Sequence, residues 1–432
     1  MGLFTKRKKK NRVCVIGLDG VPFPLLQDLS SRGVMPRFSE LISAGHLHRM
    51  RASLPEISSV SWTDFMTGTN SGTHGIFGFT DLKPGSYDLR FPNFNDVKAE
   101  TLWDRLGKVK KTSIIVNQPS TYPARRIEGT LISGFVAIEM SKAVYPLSLR
   151  PRLEEIGYEI DIDTFRARED HGLLWKELDK TLTGREKAWE MLWEEDWDYF
   201  EFVITGTDRL QHFLWEAYAD PGHPDHQRFL DYYHRIDSLV RRITESFERL
   251  TGSHEGLYLL SDHGFTAIQQ EVYLNAWLEQ AGYLSFSTPE PKGLEALAPG
   301  SRAFAMDPNR IYLHTSDRYP NGSVSADQKA DLKRELQTTL QDLKFEGEPV
   351  VQEVFDAEDI YSGPLVSSGP DLIVLGRPGF DMKGSVKKKQ TFGRTNLQGM
   401  HTYNDAFFWA SGEHGDDLRI SQLAEIILRH FQ

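Results

Sequence analysis

Short apolar runs that stop at an acidic residue or a histidine recur along this 432-residue chain, and they restrict its fold more than any other feature. The clearest is Gly256-Leu257-Tyr258-Leu259-Leu260, which passes through Ser261 into Asp262-His263-Gly264. A brief apolar run without polar alternates reads as a strand buried on both faces, the usual state of a strand in a parallel sheet. Val13-Cys14-Val15-Ile16 leads in the same manner to Gly17-Leu18-Asp19-Gly20, and the run within 198–205 precedes Asp208 and His212. Further strands are predicted at 112–116, 130–132, 371–375 and 405–410. Helices are predicted at 23–32, closed by Gly33, and at 36–44, closed by Gly45. Strands alternating with helices imply an α/β fold, a mostly parallel central sheet with helices on both faces.

The expected division is a basic tail over residues 1–11, a catalytic core over 12–280 and 395–432 with a helical insertion at 146–193, and a cap subdomain over 281–394. The formal net charge of -11 disfavours a nucleic-acid polymer as partner, because phosphate contacts need clustered Lys and Arg. Cys14 is the single cysteine and sits inside the first apolar run, which leaves no disulfide framework and no Cys-rich metal site. The start is basic (Lys6 to Lys10), with Lys6 where a myristoylation motif needs Ser or Thr. No apolar span approaches the ~20 residues of a transmembrane helix. The expectation is a cytoplasmic protein whose tail makes at most weak contact with an anionic membrane surface. The oligomeric state is left open.

In open α/β sheets, ligands gather at the carboxyl ends of the strands. Asp19, Asp262 and His263 fall at such ends, Asp208 and His212 lie four apart just past another, and His401 follows Gly399-Met400. Each has a plain structural reading too: a turn at Asp19-Gly20, a surface pair at Asp208 and His212. Recurrence of Asp and His together at strand ends is what points to metal chemistry. A polar turn then opens an apolar helix in Pro55-Glu56-Ile57-Ser58-Ser59-Val60-Ser61-Trp62-Thr63-Asp64. Free N–H groups at a helix start bind anions, and a hydroxyl there can be a nucleophile when a metal or base activates it. The alternative is an ordinary N-cap by Ser58, Ser59 or Ser61. Asn117 and Tyr122, just beyond a predicted strand, are candidate substrate contacts, as is the cationic run Lys387-Lys388-Lys389 with Arg394.

In combination these motifs resemble the alkaline phosphatase superfamily, in its nucleotide pyrophosphatase/phosphodiesterase-like branch. The motifs are Gly17-Leu18-Asp19-Gly20, Ser58 ahead of 62–68, Thr73-His74-Gly75-Ile76, 207–212, 261–264 and Gly399-Met400-His401. The nearer likeness is to bacterial type I phosphodiesterases and predicted phosphohydrolase/phosphomutases, over about 13–412. The resemblance implies two divalent metal ions. Asp208, His212 and His401 would hold the first, and Asp19, Asp262 and His263 the second, with the Ser58 hydroxyl as a further ligand and the nucleophile. His74 would be structural. Many relatives carry an Asn some residues after the nucleophile. None lies near Ser58 here, and Ser61 is the nearest polar candidate to meet the non-bridging oxygen. The sulfatase signature is absent around Ser58. Imidazole and carboxylate without thiolate suit zinc and tolerate manganese. The implied function is hydrolysis of a phosphate ester, a small molecule or a lipid-linked one, with a diester favoured. The rivals are a phosphomutase with the same metals and serine, and a catalytically silent binding protein of the same fold.

Overall fold

The computed structural model describes residues 11–168 and 170–432. The basic run up to Lys10, and with it the expected membrane contact, lies outside them. Among the described residues the largest sheet has nine strands. Its centre is parallel: Val13–Leu18 lies between Leu257–Leu260 and Tyr199–Ile204, followed by Ser113–Gln118 and Gly129–Ser133. The first three of these are buried at every position, as their largely apolar sequences favour, with Glu201 the one acid among them. The edges turn antiparallel, with Ala406–Ala410 beside Leu257–Leu260 and then His46–Arg51.

The alternation of strand side chains divides the interior in two. Cys14, Ile16 and Leu18 enter one core, covered by helices Phe23–Ser31, His171–Trp193, Gly206–Ala219 and His226–Thr251. Val13 and Val15 enter the other, beneath helices Ser58–Thr67, Leu102–Lys108 and Leu423–Arg429. The stretch 146–193, expected as an insertion, is part of this cover. Leu174, Trp175, Leu178 and Leu182 of its long helix are buried in the first core. Its 3.6-residue apolar stripe needs a partner, and the sheet face supplies it.

The stretch expected as a cap packs around a core that also takes in Leu82, Val272 and Leu274, built on a four-stranded sheet of Ala303–Met306, Arg310–Leu313, Leu372–Gly376 and Val351–Asp356 and covered by helix Lys329–Gln341. The strand predicted at 371–375 therefore belongs to the cap and pairs antiparallel. Gln270–Tyr273 pairs with Phe380–Lys383 and with Phe392–Gly393, so the cap is rooted in the sequence directly after Asp262 and His263. Among the described residues no helix is long and apolar enough to cross a membrane.

Candidate active site

The central strands end on one rim, and the predicted acids and imidazoles meet there. Val13–Leu18 delivers Asp19, and Gly20 follows with φ +69°. A Cβ at Gly20 would come within 3.2 Å of His263 Cε1 and 3.3 Å of Asp208, crowding both at a backbone angle that favours glycine. Leu257–Leu260 delivers Asp262 and His263. Asp208 stands in the first turn of the helix Gly206–Ala219, which puts His212 one turn on along the same face. His401 arrives on a short antiparallel pair, Gly264–Ala267 with Gly399–Thr402, directly opposite Phe265.

The distances form one continuous cluster. His401 Nε2 lies 3.1 Å from Asp208 Oδ1 and 3.0 Å from His212 Nε2, and His212 Nε2 is 3.4 Å from Asp208 Oδ1. His263 Nε2 lies 3.3 Å from Asp262 Oδ2, 3.7 Å from Asp19 Oδ1 and 4.0 Å from Asp208 Oδ1. The Ser58 hydroxyl is 3.1 Å from His263 Nε2 and 3.3 Å from Asp19 Oδ1. Two sets of donor atoms each fall within 4.8 Å of one another: Asp19, Asp262, His263, and Asp208, His263, His401. His263 thus stands between the halves, while His212 closes on Asp208 and His401 at shorter distances still.

Backbone atoms set the tautomers. His212 Nδ1 meets the Gly399 carbonyl at 2.9 Å, His401 Nδ1 the Glu56 carbonyl at 2.9 Å, and His263 Nδ1 the Gly264 carbonyl at 3.0 Å. A carbonyl only accepts, so each Nδ1 carries the hydrogen and each Nε2 turns a lone pair inward. Burial lowers all three imidazole pKa values, His263 to about 4 with His401 adding to the effect. Neutral rings facing each other with lone pairs at 3.0 Å repel unless a cation lies between them.

The carboxylates show the same shortage of positive charge. Burial, then Asp262 and Asp208, push Asp19 well above the usual range. Burial, then Asp208, lifts Asp262 to about 7. Asp262 Oδ1 accepts the Gly20 N–H at 3.0 Å, yet among the described residues its buried Oδ2 has no hydrogen-bond partner. A buried carboxylate oxygen so placed is costly, and a metal ion is the usual remedy. Asp208 differs: burial opposes its charge, but the imidazoles and the Arg209 guanidinium, 2.8 Å from Oδ2, hold it well below the usual carboxylate range. The donor set therefore fits hard or borderline divalent cations.

Several supporting residues had no assigned role in the sequence. Trp62 donates its indole N–H to Asp19 Oδ2 at 3.0 Å, Thr207 donates to the Asp19 carbonyl at 2.5 Å, and Arg209 also pairs with Asp161 at 2.8 Å. Their proximity to the motif residues was the available signal. Ser58 opens its helix after Ile57, whose side chain offers no cap, so the hydroxyl is free to face the cluster.

Two of the expected substrate contacts, Ser61 and Asn117, are turned inward. Ser61 is fully buried and accepts the Ser53 N–H at 3.3 Å. Asn117, fully buried with φ 67°, donates to the Val203 carbonyl at 3.0 Å and accepts from Tyr158 at 3.4 Å. Tyr122 packs against the first core, and its carbonyl takes the Phe94 N–H. Ser61 and Asn117 face the interior, the left-handed turn at Asn117 swinging its amide back across the sheet, while Tyr122 is half-buried. His74 is buried against Asp64 at 2.6 Å, apart from the cluster. A cavity of about 660 Å³ opens on His212 and His401, and its wall includes Phe79, Tyr273, Lys383, Lys388 and Arg168. Of the cationic run, Lys388 reaches this wall, while Arg394 turns to the Ile268 carbonyl.

Comparison with known proteins agrees with this architecture. Phosphonoacetate hydrolase from Sinorhizobium meliloti, solved with phosphonoacetate, superposes with a TM-score of 0.66 at 13% identity, covering 98% of this chain and 97% of that one. Murine ectonucleotide pyrophosphatase / phosphodiesterase 5, solved as an inactive variant with AMP, gives 0.56 at 12% identity over 98% and 95%. The human protein gives 0.56 at 12% identity over 97% and 94%. No curated protein sequence matches the chain. The model of the type I phosphodiesterase / nucleotide pyrophosphatase family matches residues 13–404, and with the fold and the clustered acids and imidazoles in place the chain belongs to that family of enzymes.

Proposed function

We propose that this chain is a two-metal hydrolase of phosphoric esters, with diesters favoured, acting through a phosphoserine on Ser58. The observation that carries the reading is the set of three backbone carbonyls that turn three Nε2 lone pairs onto Asp19, Asp208, Asp262 and the Ser58 hydroxyl. Asp208, His212 and His401 would hold one ion; Asp19, Asp262 and His263, with Ser58, the other. Zinc suits this thiolate-free set best, and manganese is tolerated. When bound, the ions supply Lewis acidity to the phosphoryl oxygens and lower the pKa of a hydroxyl they touch.

The chain's own groups do the rest. Trp62 and Gly20 fix the carboxylates of Asp19 and Asp262, so the Ser58 oxygen is presented at a set distance. Ser58 Oγ attacks phosphorus, the Oγ–P bond forms as the P–O bond to the leaving group breaks, and the proton given up by the Ser58 hydroxyl ends on that oxygen, which leaves as the alcohol. Water then breaks the Oγ–P bond and restores the hydroxyl. Free N–H groups at the start of the Ser58 helix favour the anionic phosphoryl group throughout. On the cavity wall Lys388 and Arg168 stand beside the carboxylates of Glu56, Glu271, Asp307 and Asp381, the last paired with Lys383 at 2.6 Å, so the wall offers both signs of charge to the rest of the substrate.

The test is a screen of bis-p-nitrophenyl phosphate, p-nitrophenyl phosphate and phosphonoacetate with zinc or manganese, beside Ser58→Ala. We expect diester turnover, released product without isomerised substrate, and a fall in kcat of at least ~10³-fold in the variant at unchanged metal content. Full turnover by Ser58→Ala would overturn the nucleophile, and isomerised product would turn the reading to a mutase.

A further inference from the structure

The segment from Ser53 to Ile57, which leads into the Ser58 helix, is held from two directions. From the core, Ser53 Oγ donates to Asp64 Oδ2 at 2.6 Å. From the cap, Tyr361 donates its hydroxyl to the Leu54 carbonyl at 2.7 Å, and Asn309 Nδ2 donates to Glu56 Oε2 at 2.9 Å. Asn309 sits where the cap strands Ala303–Met306 and Arg310–Leu313 turn, and its carbonyl accepts the Val374 N–H at 2.9 Å. It is therefore anchored in the cap sheet. Asn309 and Glu56 are both buried. Among the described residues Asn309 Oδ1 has no partner, so what this amide does is hold Glu56. The backbone carbonyl of Glu56 in turn takes the Nδ1 hydrogen of His401 at 2.9 Å. One residue thus joins the cap to an imidazole of the cluster, and Ser58 follows it by two positions.

We infer that Asn309 is a positioning residue for the hydrolysis. By gripping Glu56 it fixes the carbonyl that sets the tautomer and ring plane of His401, and the entry of the helix that presents Ser58. The inference rests on the reading of His401 as a ligand and Ser58 as nucleophile. Partners that orient a ligating histidine are worth ~10–100-fold in metal affinity or activity. A displacement near 1 Å at a nucleophile is worth a similar factor. The bond crosses 253 residues of sequence, so the seating of the cap and the readiness of the site are one structural event. A bond that merely tied cap to core would lower the melting temperature and leave kcat of the folded enzyme alone.

The experiment exchanges donor and acceptor. Asn309→Asp sets a carboxylate against Glu56, and adding Glu56→Gln restores one amide facing one carboxylate with the roles reversed. Purified zinc-loaded chains are compared for kcat and KM on bis-p-nitrophenyl phosphate, bound metal and melting temperature. We expect Asn309→Asp to lower kcat by about 10- to 100-fold with a much smaller change in KM, and the double variant to regain most of it. A folded Asn309→Asp with wild-type kcat would overturn the inference, as would a double variant that regains its melting temperature and stays as slow as the single. Should Asn309→Asp fail to fold, Asn309→Ala carries the same expectation for kcat and the same refutation. Failure of the parent reading shows separately, as a wild-type chain without bound metal or an active Ser58→Ala.

Discussion

Asp262→Asn separates a metal site from an ordinary buried polar cluster. The substitution keeps the shape of the side chain and its acceptor for the Gly20 N–H, found at 3.0 Å, and removes the charge behind the unpartnered Oδ2. Two effects of opposite sign follow. Without metal, the wild-type carboxylate is fully buried beside Asp19 and Asp208, with neutral His263 as its nearest ring. Relieving an unsatisfied buried group is worth ~1–3 kcal/mol, so the metal-free variant should be the more stable of the two. With metal, a ligand charge is lost. A hundredfold weaker Kd cuts the linked stabilisation from about 4.1 kcal/mol at a thousandfold excess over Kd to about 1.4 kcal/mol at tenfold. The assay is the melting temperature of both proteins, stripped with chelator and then titrated with zinc. The stripped variant should melt above the stripped wild type, and its zinc-induced rise should be well under half as large. Equal rises in the two proteins would refute the assignment of Asp262 as a ligand. A stripped variant that melts lower would refute the argument that this cluster lacks positive charge.

Glu201, buried at the centre of its strand and bonded to the Tyr199 hydroxyl at 2.6 Å, has its pKa pushed up by burial to about 8 from an ordinary 4.5. The unfolded chain loses this proton first as pH rises, so the group subtracts stability progressively between about pH 4.5 and 8. Glu201→Gln should flatten that decline and melt higher than wild type at pH 8; parallel melting curves across that range would refute it. Gly17→Ala would place a Cβ 2.5 Å from Trp62 Cη2 and 3.2 Å from Val203 Cγ2. Overpacking of ~1–3 kcal/mol should appear as a lower melting temperature, and displacement of Trp62 from Asp19 as weaker zinc retention against chelator; unaltered zinc retention would uncouple the indole from the site. Asn117→Ala should destabilise by ~1–3 kcal/mol through the unpaired Val203 carbonyl, in a denaturant titration, and leave KM for bis-p-nitrophenyl phosphate unchanged. A raised KM at wild-type stability would return Asn117 to the substrate.

The parallel strands were legible because burial on both faces favours apolar runs, and Asp19, Asp262 and His263 were legible as candidate ligands because they stand at such a run's end, whereas His212 lies on a helix and His401 on a short antiparallel pair. His46–Arg51 was not: its sequence His-Leu-His-Arg-Met-Arg is mostly polar, and it lies toward the sheet edge with one half-exposed face. The stretch 146–193 looked inserted because its exposed face is densely charged, although its apolar stripe belongs to the core. Ser61 and Asn117 were placed near substrate by sequence proximity, while a helix turn and a positive φ decide where their polar atoms point.

The proposed metal chemistry rests on atoms that residue identity does not encode. Any residue at 264 or 399 would offer the same carbonyl to His263 or His212, and the carbonyl that meets His401 belongs to Glu56, whose side chain Asn309 holds. Two of these carbonyls, Gly264 and Gly399, and His401 itself lie on the two paired strands Gly264–Ala267 and Gly399–Thr402, brought together across the whole cap. The inward lone pairs are thus a product of that pairing register. A one-residue slip would turn His401 to the opposite face and exchange Gly399 for a neighbour. The six acids and imidazoles are the candidate site, and the short antiparallel pair is what turns His401 toward the other five.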